Sequence, residues 1–323
     1  MCFYFATMMI TLSISITFKI CQFLQVGIGV SANTFLLLIR ILMLLLDHRP
    51  KPTDLTICHL AFVHIMKLFT VLFLLSSDLY ESPNVRNDFK CKALFYVGRV
   101  MRSLSICTTC LLSVLQAITI SPSTSWLAKF KHKCTKYILH FYLIVWLLSV
   151  SLSSNLISYT VPSSNVTQTN LLHVSKYCSL SPMNFLIRNL FFTLTISRDV
   201  FLVGVMLFVS AYMVMLLSRH RKQCQHLHSS SLSSRVFPER RATQTILLQL
   251  SFFVVMYWVD MIISSSTVLL WTHSPLIQDF QTLVVNMYAT VSPLVLISCD
   301  KRIINMLQKC GKITINFNNF FMK

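Results

Sequence analysis

Long apolar runs recur along the chain, separated by short polar and basic segments. A helix crossing hydrocarbon needs about 20 mostly apolar residues. Windows of that size give seven spans, at about 20–46, 54–76, 92–118, 137–160, 189–217, 243–271 and 279–298. The runs are too long, and alternate too little with period two, to be barrel strands. The pattern predicts an all-α membrane protein: a seven-transmembrane helix bundle over 20–298. Residues 1–19 form a short extension before it and 299–323 a tail after it. The least apolar spans are the second, which holds Lys67, and the fifth, which holds Arg198 and Asp199. No loop is long enough for a soluble domain, and no internal repeat is evident.

Composition agrees and adds a puzzle. Of 323 residues, 54% are hydrophobic and only 12% charged, about half the charged share of a soluble domain. That leaves too little polar surface to cover a water-soluble core. Yet Lys and Arg number 28 against 10 Asp and Glu, a net charge of +18. In a soluble protein such an excess suggests nucleic acid. Here its placement decides otherwise. Eighteen of the 28 basic residues fall in the segments 40–53, 119–136, 218–242 and 299–323, and five in the segments between the other span ends. Positive charge collects on the cytoplasmic side, which predicts the amino terminus outside and the carboxyl terminus in the cytoplasm. The same placement accounts for the excess without nucleic acid as a partner.

The outer segments carry two further features. Four of the 11 cysteines, Cys21, Cys58, Cys107 and Cys110, lie within spans, where the thiol acts as a small apolar group. Cys91 and Cys178 instead lie at the outer end of span three and in the outer loop after span four, where a bridge can persist or two thiols can stay unpaired. The same loop holds Asn165-Val166-Thr167, an N-glycosylation sequon on the side that charge makes extracellular.

Ordered blocks now carry a resemblance. Residues 91–122 read CKALFYVGRVMRSLSICTTCLLSVLQAITISP. This closely resembles the third helix of vomeronasal type 1 receptors, a pheromone-receptor family of seven-helix G-protein-coupled receptors. His59-Leu60, Tyr177-Cys178-Ser179, RHRKQCQHLH (219–228), PERRATQTIL (238–247) and TVSPLVLIS (290–298) agree with it in order, over about residues 20–305. The resemblance implies a plasma-membrane chemosensory receptor of sensory neurons, a small pheromone-like ligand and an inhibitory-class heterotrimeric G protein. It also favours a bridge between Cys91 and Cys178. The chain departs from wider rhodopsin-like receptors, with Leu115-Gln116-Ala117 where many carry Asp-Arg-Tyr. His64 falls where many place a sodium-binding Asp, and Pro293 lacks the flanking Asn and Tyr. These departures are shared with the type 1 vomeronasal pattern.

Charge is scarce inside spans, and an ionisable residue there costs ~3 kcal/mol or more unless it meets a partner or water. Arg99 and Arg102 lie on one face of span three, at i and i+3. Asp199, beside Arg198, and Asp260 lie in the outer halves of spans five and six, with Tyr257 one turn from Asp260 and Tyr288 in span seven. Arg99, Arg102, Asp199, Tyr257, Asp260 and Tyr288 are the ligand-binding candidates. Two readings stay open: arginine–aspartate pairs that only hold helices together, or groups that contact a charged or polar ligand such as a sulfated or carboxylated small molecule.

At the other end, Gln116, Arg219, Arg221, Arg240 and Arg241 are the G-protein-coupling candidates, although positive-inside charge alone would put arginines there. Ile303, Ile304, Leu307 and Cys310, flanked by Lys301, Arg302 and Lys309, fit a short amphipathic helix on anionic membrane lipids, with Cys310 a palmitoylation candidate. Cys224, His226 and His228 lack the second ligand pair of a metal site, so no metal or cofactor is expected. No nucleophile or metal constellation suggests an enzyme. A bitter-taste-like receptor shares the architecture but not the helix-five and helix-seven blocks. A transporter or channel is the remoter alternative, and the five glycines argue against its broken helices.

Overall fold

The computed structural model describes residues 2–46, 51–79, 88–122, 131–155, 157, 160–162, 172–173, 178–180, 184–227, 248, 250–263, 275–300, 302–306 and 308. Seven long helices are among them: α1 (Cys2–Leu46), α2 (Pro52–Leu79), α3 (Asp88–Ile120), α4 (Lys131–Ser153), α5 (Phe185–Leu227), α6 (Leu250–Ile263) and α7 (Pro275–Cys299). α1 is helical from Cys2, so residues 2–19 continue the first helix rather than forming a separate extension. Residues 302–306 add one more helical turn after α7. The bundle is not purely helical. Three short strands, β1 (Thr160–Pro162), β2 (Leu172–His173) and β3 (Cys178–Leu180), pair antiparallel in the order β1-β3-β2. Val161 faces Ser179, and β1 packs on α3.

Side-chain registers give the direction of each helix. Gln22 of α1 donates to the Asp279 carbonyl and Asn33 to the Ala289 carbonyl, so α1 and α7 run the same way. On α2 and α3, His59 meets Thr108 while His64 meets Ser105, which is antiparallel. Ser103 meets Arg198 and Ser121 meets Tyr212, so α3 and α5 are parallel. Taking the start of α3 as the top, α1, α3, α5 and α7 descend.

Five helices have stretches long and apolar enough to cross a membrane, at Met9–Leu46, Pro52–Ser76, Lys92–Ile120, Asn189–Leu216 and Leu276–Ser298. Tyr137–Ser153 and Leu250–Ile263 are shorter apolar stretches. α4 shows what surrounds the bundle. It buries Ile138, Tyr142 and Val145, and exposes Leu139, Leu143 and Leu147 on the opposite face, at i, i+4 and i+8. In water such a stripe would be a large unfavourable patch; in hydrocarbon it costs nothing.

Several polar groups find partners across helices within this apolar frame. Pro293 sits inside α7 and has no N–H to give the carbonyl of Ala289, one turn back. Asn33 of α1 supplies the missing donor at 2.8 Å, and also bonds the Gly29 carbonyl at 2.7 Å. Gly29 makes this approach possible: a Cβ there would lie 2.7 Å from Leu68 Cδ1 and 2.9 Å from Thr290 Oγ1. Small residues permit such close helix contact in membranes. Across the bundle, Trp146 Nε1 donates to His59 Nε2 at 3.0 Å. That acceptor role leaves the proton on Nδ1, which donates to Thr108 Oγ1 at 3.0 Å. One histidine thereby joins α2, α3 and α4.

Candidate ligand site

The intramembrane charges meet in the upper half of the bundle. Arg102 of α3 is ion-paired with Asp260 of α6 through Nη2 and Oδ2. Gln281 of α7 donates to the other carboxylate oxygen at 3.1 Å. Asp260 is buried, whereas the Arg102 side chain stays 31% exposed. A second group lies beside the first. Arg198 turns back onto its neighbour Asp199, with Nη2 to Oδ1 at 2.6 Å, and donates to Ser103 Oγ at 2.6 Å. Adjacent helical residues do not naturally face each other; the long guanidinium stem bridges the gap. Tyr257 of α6 donates to Asp199 Oδ2 at 2.7 Å. These contacts link α3, α5, α6 and α7.

A small cavity of about 30 Å³ opens next to the first pair. Arg102 and Ser105 line it from α3, Tyr257, Asp260 and Phe253 from α6, and Val284, Val285 and Tyr288 from α7. That volume holds a water or two, so a larger guest has to part the helices or displace one of the paired groups. The floor is polar and fixed. Tyr288 shares a 3.3 Å hydrogen bond with Thr109 and meets His64 edge-on, while His64 bonds Ser105 at 3.0 Å.

Four of the six sequence candidates, Arg102, Tyr257, Asp260 and Tyr288, line this one cavity. Asp199 reaches it through Tyr257. Arg99 is half-buried one turn above Arg102 and, among the described residues, has no ion-pair or hydrogen-bond partner. Two arginine–aspartate pairs form, Arg102 with Asp260 and Arg198 with Asp199. Two further polar residues of the site, Gln281 on Asp260 and the cavity-lining Lys67, were not among the sequence candidates. Gln281 is an ordinary polar residue with no sequence signal. Lys67 had one, its charge within a span: its amine donates to the Val285 carbonyl at 2.8 Å and faces the cavity rather than the bilayer.

A second charged group lies at the bottom. Arg40 is buried in α1, 2% exposed, although the sequence reading counts it with the first basic loop. Its Nη1 meets Asp54 Oδ1 of α2 at 2.7 Å and its Nη2 meets Asp300 Oδ2, just past α7, at 2.7 Å. Arg302 grips Asp54 with both terminal nitrogens, at 2.7 and 3.1 Å. Asp300 also caps the turn that follows, accepting the Arg302 backbone N–H at 2.8 Å. Burial pushes the Asp300 carboxyl up. The Arg40 charge, the Arg302 N–H and the Arg302 charge together outweigh it and hold the group below its ordinary range. The hydrogen bond to Asp54 raises Arg302 above its ordinary value. Ile303 is fully buried against Leu36, Ile39, Ile57 and Leu60, so this turn docks on the bundle.

Of the coupling candidates, Gln116 is half-buried near the bottom of α3 and Arg219 is exposed on α5. Arg221 lies on α5 by its backbone; Arg240 and Arg241 lie outside the described residues, as do Asn165, Leu307 and Cys310. Cys91 lies in the first turns of α3, and Cys178 opens β3 opposite Pro162.

Comparison with known proteins accounts for this architecture. The profile of the vomeronasal organ pheromone receptor family matches residues 16–309. Vomeronasal type-1 receptor 90 of Rattus norvegicus is 46% identical over 286 residues, 88% of this chain and 92% of the relative. Vomeronasal type-1 receptor 42 of Mus musculus is 41% identical over 296 residues, 92% of this chain and 89% of the relative. With a helical membrane bundle, a charged upper cavity and a family match over nearly its whole length, the chain belongs to the vomeronasal organ pheromone receptor family.

Proposed function

We propose that the chain is a G-protein-coupled pheromone receptor of the plasma membrane of sensory neurons. It crosses the bilayer seven times with the amino terminus outside, and binds a small polar or charged molecule among α3, α5, α6 and α7. The observation that carries the ligand reading is the cavity flanked by the Arg102–Asp260 pair within an otherwise apolar bundle. Charge so placed costs free energy unless it is used or paired, and among the described residues Arg102 is ion-paired with Asp260 through one nitrogen while its side chain stays 31% exposed. An anionic or polar ligand that takes a share of Arg102 weakens its tie to Asp260 on α6. Binding then favours a packing in which α6 stands further from α3. The ligand shifts the equilibrium only by its difference in affinity for the two packings.

The signal leaves at the bottom, where Gln116, Arg219, Arg221, Arg240 and Arg241 form the surface for a G protein of the inhibitory class. A Cys91–Cys178 bridge ties the loop carrying β3 to the top of α3, and glycosylation at Asn165 marks the same side. The family and the scarcity of charge elsewhere in the bundle support this reading over a transporter or an enzyme.

The test is a cell assay with a promiscuous G-protein α subunit, surface delivery confirmed by antibody, and a screen of volatile and steroid-like acids and sulfates. Ligand-driven calcium release supports the proposal. Ion conduction or solute transport without any G protein overturns it. Topology has its own check: Asn165→Gln should abolish a glycosidase-sensitive mass shift.

A further inference from the structure

We propose that Arg40, Asp54, Asp300 and Arg302 form a charged clasp that holds the turn after α7 against α1 and α2 in the resting receptor, and that release at Arg302 is a step of activation. The inference rests on the receptor reading above, to which it adds a control point at the opposite end of the bundle from the ligand.

Two guanidinium groups alternate with two carboxylates, so the cluster is neutral as a unit. Its two halves differ. Arg40 is buried and shared between both carboxylates, at 2.7 Å to each. It is the fixed half, because releasing it would strand a charge among the apolar residues around α1. Arg302 is 41% exposed and comes from the turn, not from the bundle proper. Its release passes the guanidinium to water, while Asp54 keeps Arg40. The geometry therefore provides one bond set that can open without unfolding its surroundings.

What opening would free is also defined. The turn is held by three kinds of contact: Arg302 on Asp54, the Asp300 cap on the Arg302 N–H, and Ile303 in the apolar cluster of α1, α2 and α7. Asp300 couples the cap to the buried half of the clasp, since Oδ1 caps the turn while Oδ2 holds Arg40, which also holds Asp54. Movement of the lower end of α7 strains both at once. The lower part of α3 has no comparable device. Leu115-Gln116-Ala117 carries no charge, and among the described residues every ion pair at the bottom belongs to this cluster.

The experiment compares full-length wild type, Arg302→Ala and Arg302→Lys in lipid nanodiscs. Amide hydrogen exchange is read for residues 300–308, and basal nucleotide exchange on an added inhibitory-class G protein is measured per receptor. Arg302→Ala should speed amide exchange in that segment about fivefold and raise basal nucleotide exchange about fivefold. Arg302→Lys, which keeps the charge but loses the two-pronged grip on Asp54, should lie between wild type and Arg302→Ala in both. Unchanged amide exchange in Arg302→Ala overturns the clasp. So does faster amide exchange with unchanged basal coupling in a receptor whose wild type still answers a ligand. Faster amide exchange in a chain that drives no G protein under any condition overturns the receptor reading itself, and the proposed role of the clasp with it.

Discussion

The top and bottom charge clusters of this bundle are built from the same chemistry and behave differently. At the top, among the described residues, Arg99, Arg102, Arg198 and Lys67 share Asp199 and Asp260, so cations outnumber carboxylates, and a cavity stands beside them. At the bottom, Arg40 and Arg302 match Asp54 and Asp300 one for one and enclose a fully buried guanidinium. A balanced, closed cluster suits holding. An unbalanced one with room beside it suits binding, because an incoming polar group finds donors with capacity to spare. The comparison teaches that a buried ion pair in a membrane bundle has no fixed meaning. Its stoichiometry and its neighbouring space decide whether it is a clamp or a receptor for something else.

Four measurements sharpen or break this contrast. The largest effect belongs to Arg40→Ala. Two carboxylates would lose their shared buried partner, at a cost of about 3–5 kcal/mol, seen as loss of surface delivery and a lower Tm in detergent. Normal delivery of that variant would erase the distinction between the clusters. Next comes Asp260→Asn with Arg102→Gln. Because Arg102 is partly exposed and can turn to water, Asp260→Asn should keep near-normal surface levels yet shift ligand potency about tenfold, or ~1.4 kcal/mol, whereas Arg102→Gln leaves the buried Asp260 carboxylate without its cation and should lower surface level as well as potency. An equal fall in surface level with potency unchanged would make the upper pair a structural clamp like the lower one.

Tyr257→Phe removes the donor to Asp199 and keeps the ring, which packs against Phe253. A bond to a charged group is worth about 1.5–3 kcal/mol, reduced here because Arg198 still holds the same carboxylate. Thermal stability should fall by about 1 kcal/mol, with a smaller loss of potency than Asp260→Asn.

The smallest effect is a pH response at the bottom. The folded value of Asp300 is depressed, so its stabilisation is complete above the ordinary aspartate range and fades as pH falls through the folded value. Melting between pH 7 and pH 3 should show an acid-side loss that is smaller in Asp300→Asn. Identical profiles for the two proteins would mean that the Arg40 and Arg302 contacts do not depend on that charge.

Much of this architecture is legible in the residue order. Helices and their approximate limits follow from apolar length, since hydrocarbon forbids unpaired backbone. The family follows from ordered blocks such as the one at 91–122. The convergence of Arg102, Tyr257, Asp260 and Tyr288 follows from a simpler rule, that charge inside a span must have a reason. The rule failed where a residue lay near a span end. Arg40 reads as a cation of the basic segment 40–53 although the predicted span runs to 46, because position along the chain does not reveal that its side chain turns inward onto Asp54 and Asp300. Ile303 reads as part of a lipid-facing helix, yet it is buried in the bundle.

The sequence by itself determined what is set by composition and local spacing: a helical membrane bundle, the placement of its basic residues, its family, and which intramembrane charges deserved notice. Only the tertiary structure decided partners. Arg102 could have met Asp199, and Asp54 could have remained a solvated helix-start residue. Which pairs form depends on helix rotation and relative height, set by contacts between residues hundreds of positions apart, such as Asn33 with Ala289 and Lys67 with Val285. Those contacts arise because a low-dielectric surrounding makes every unpaired polar group costly, and the bundle settles where the fewest are left.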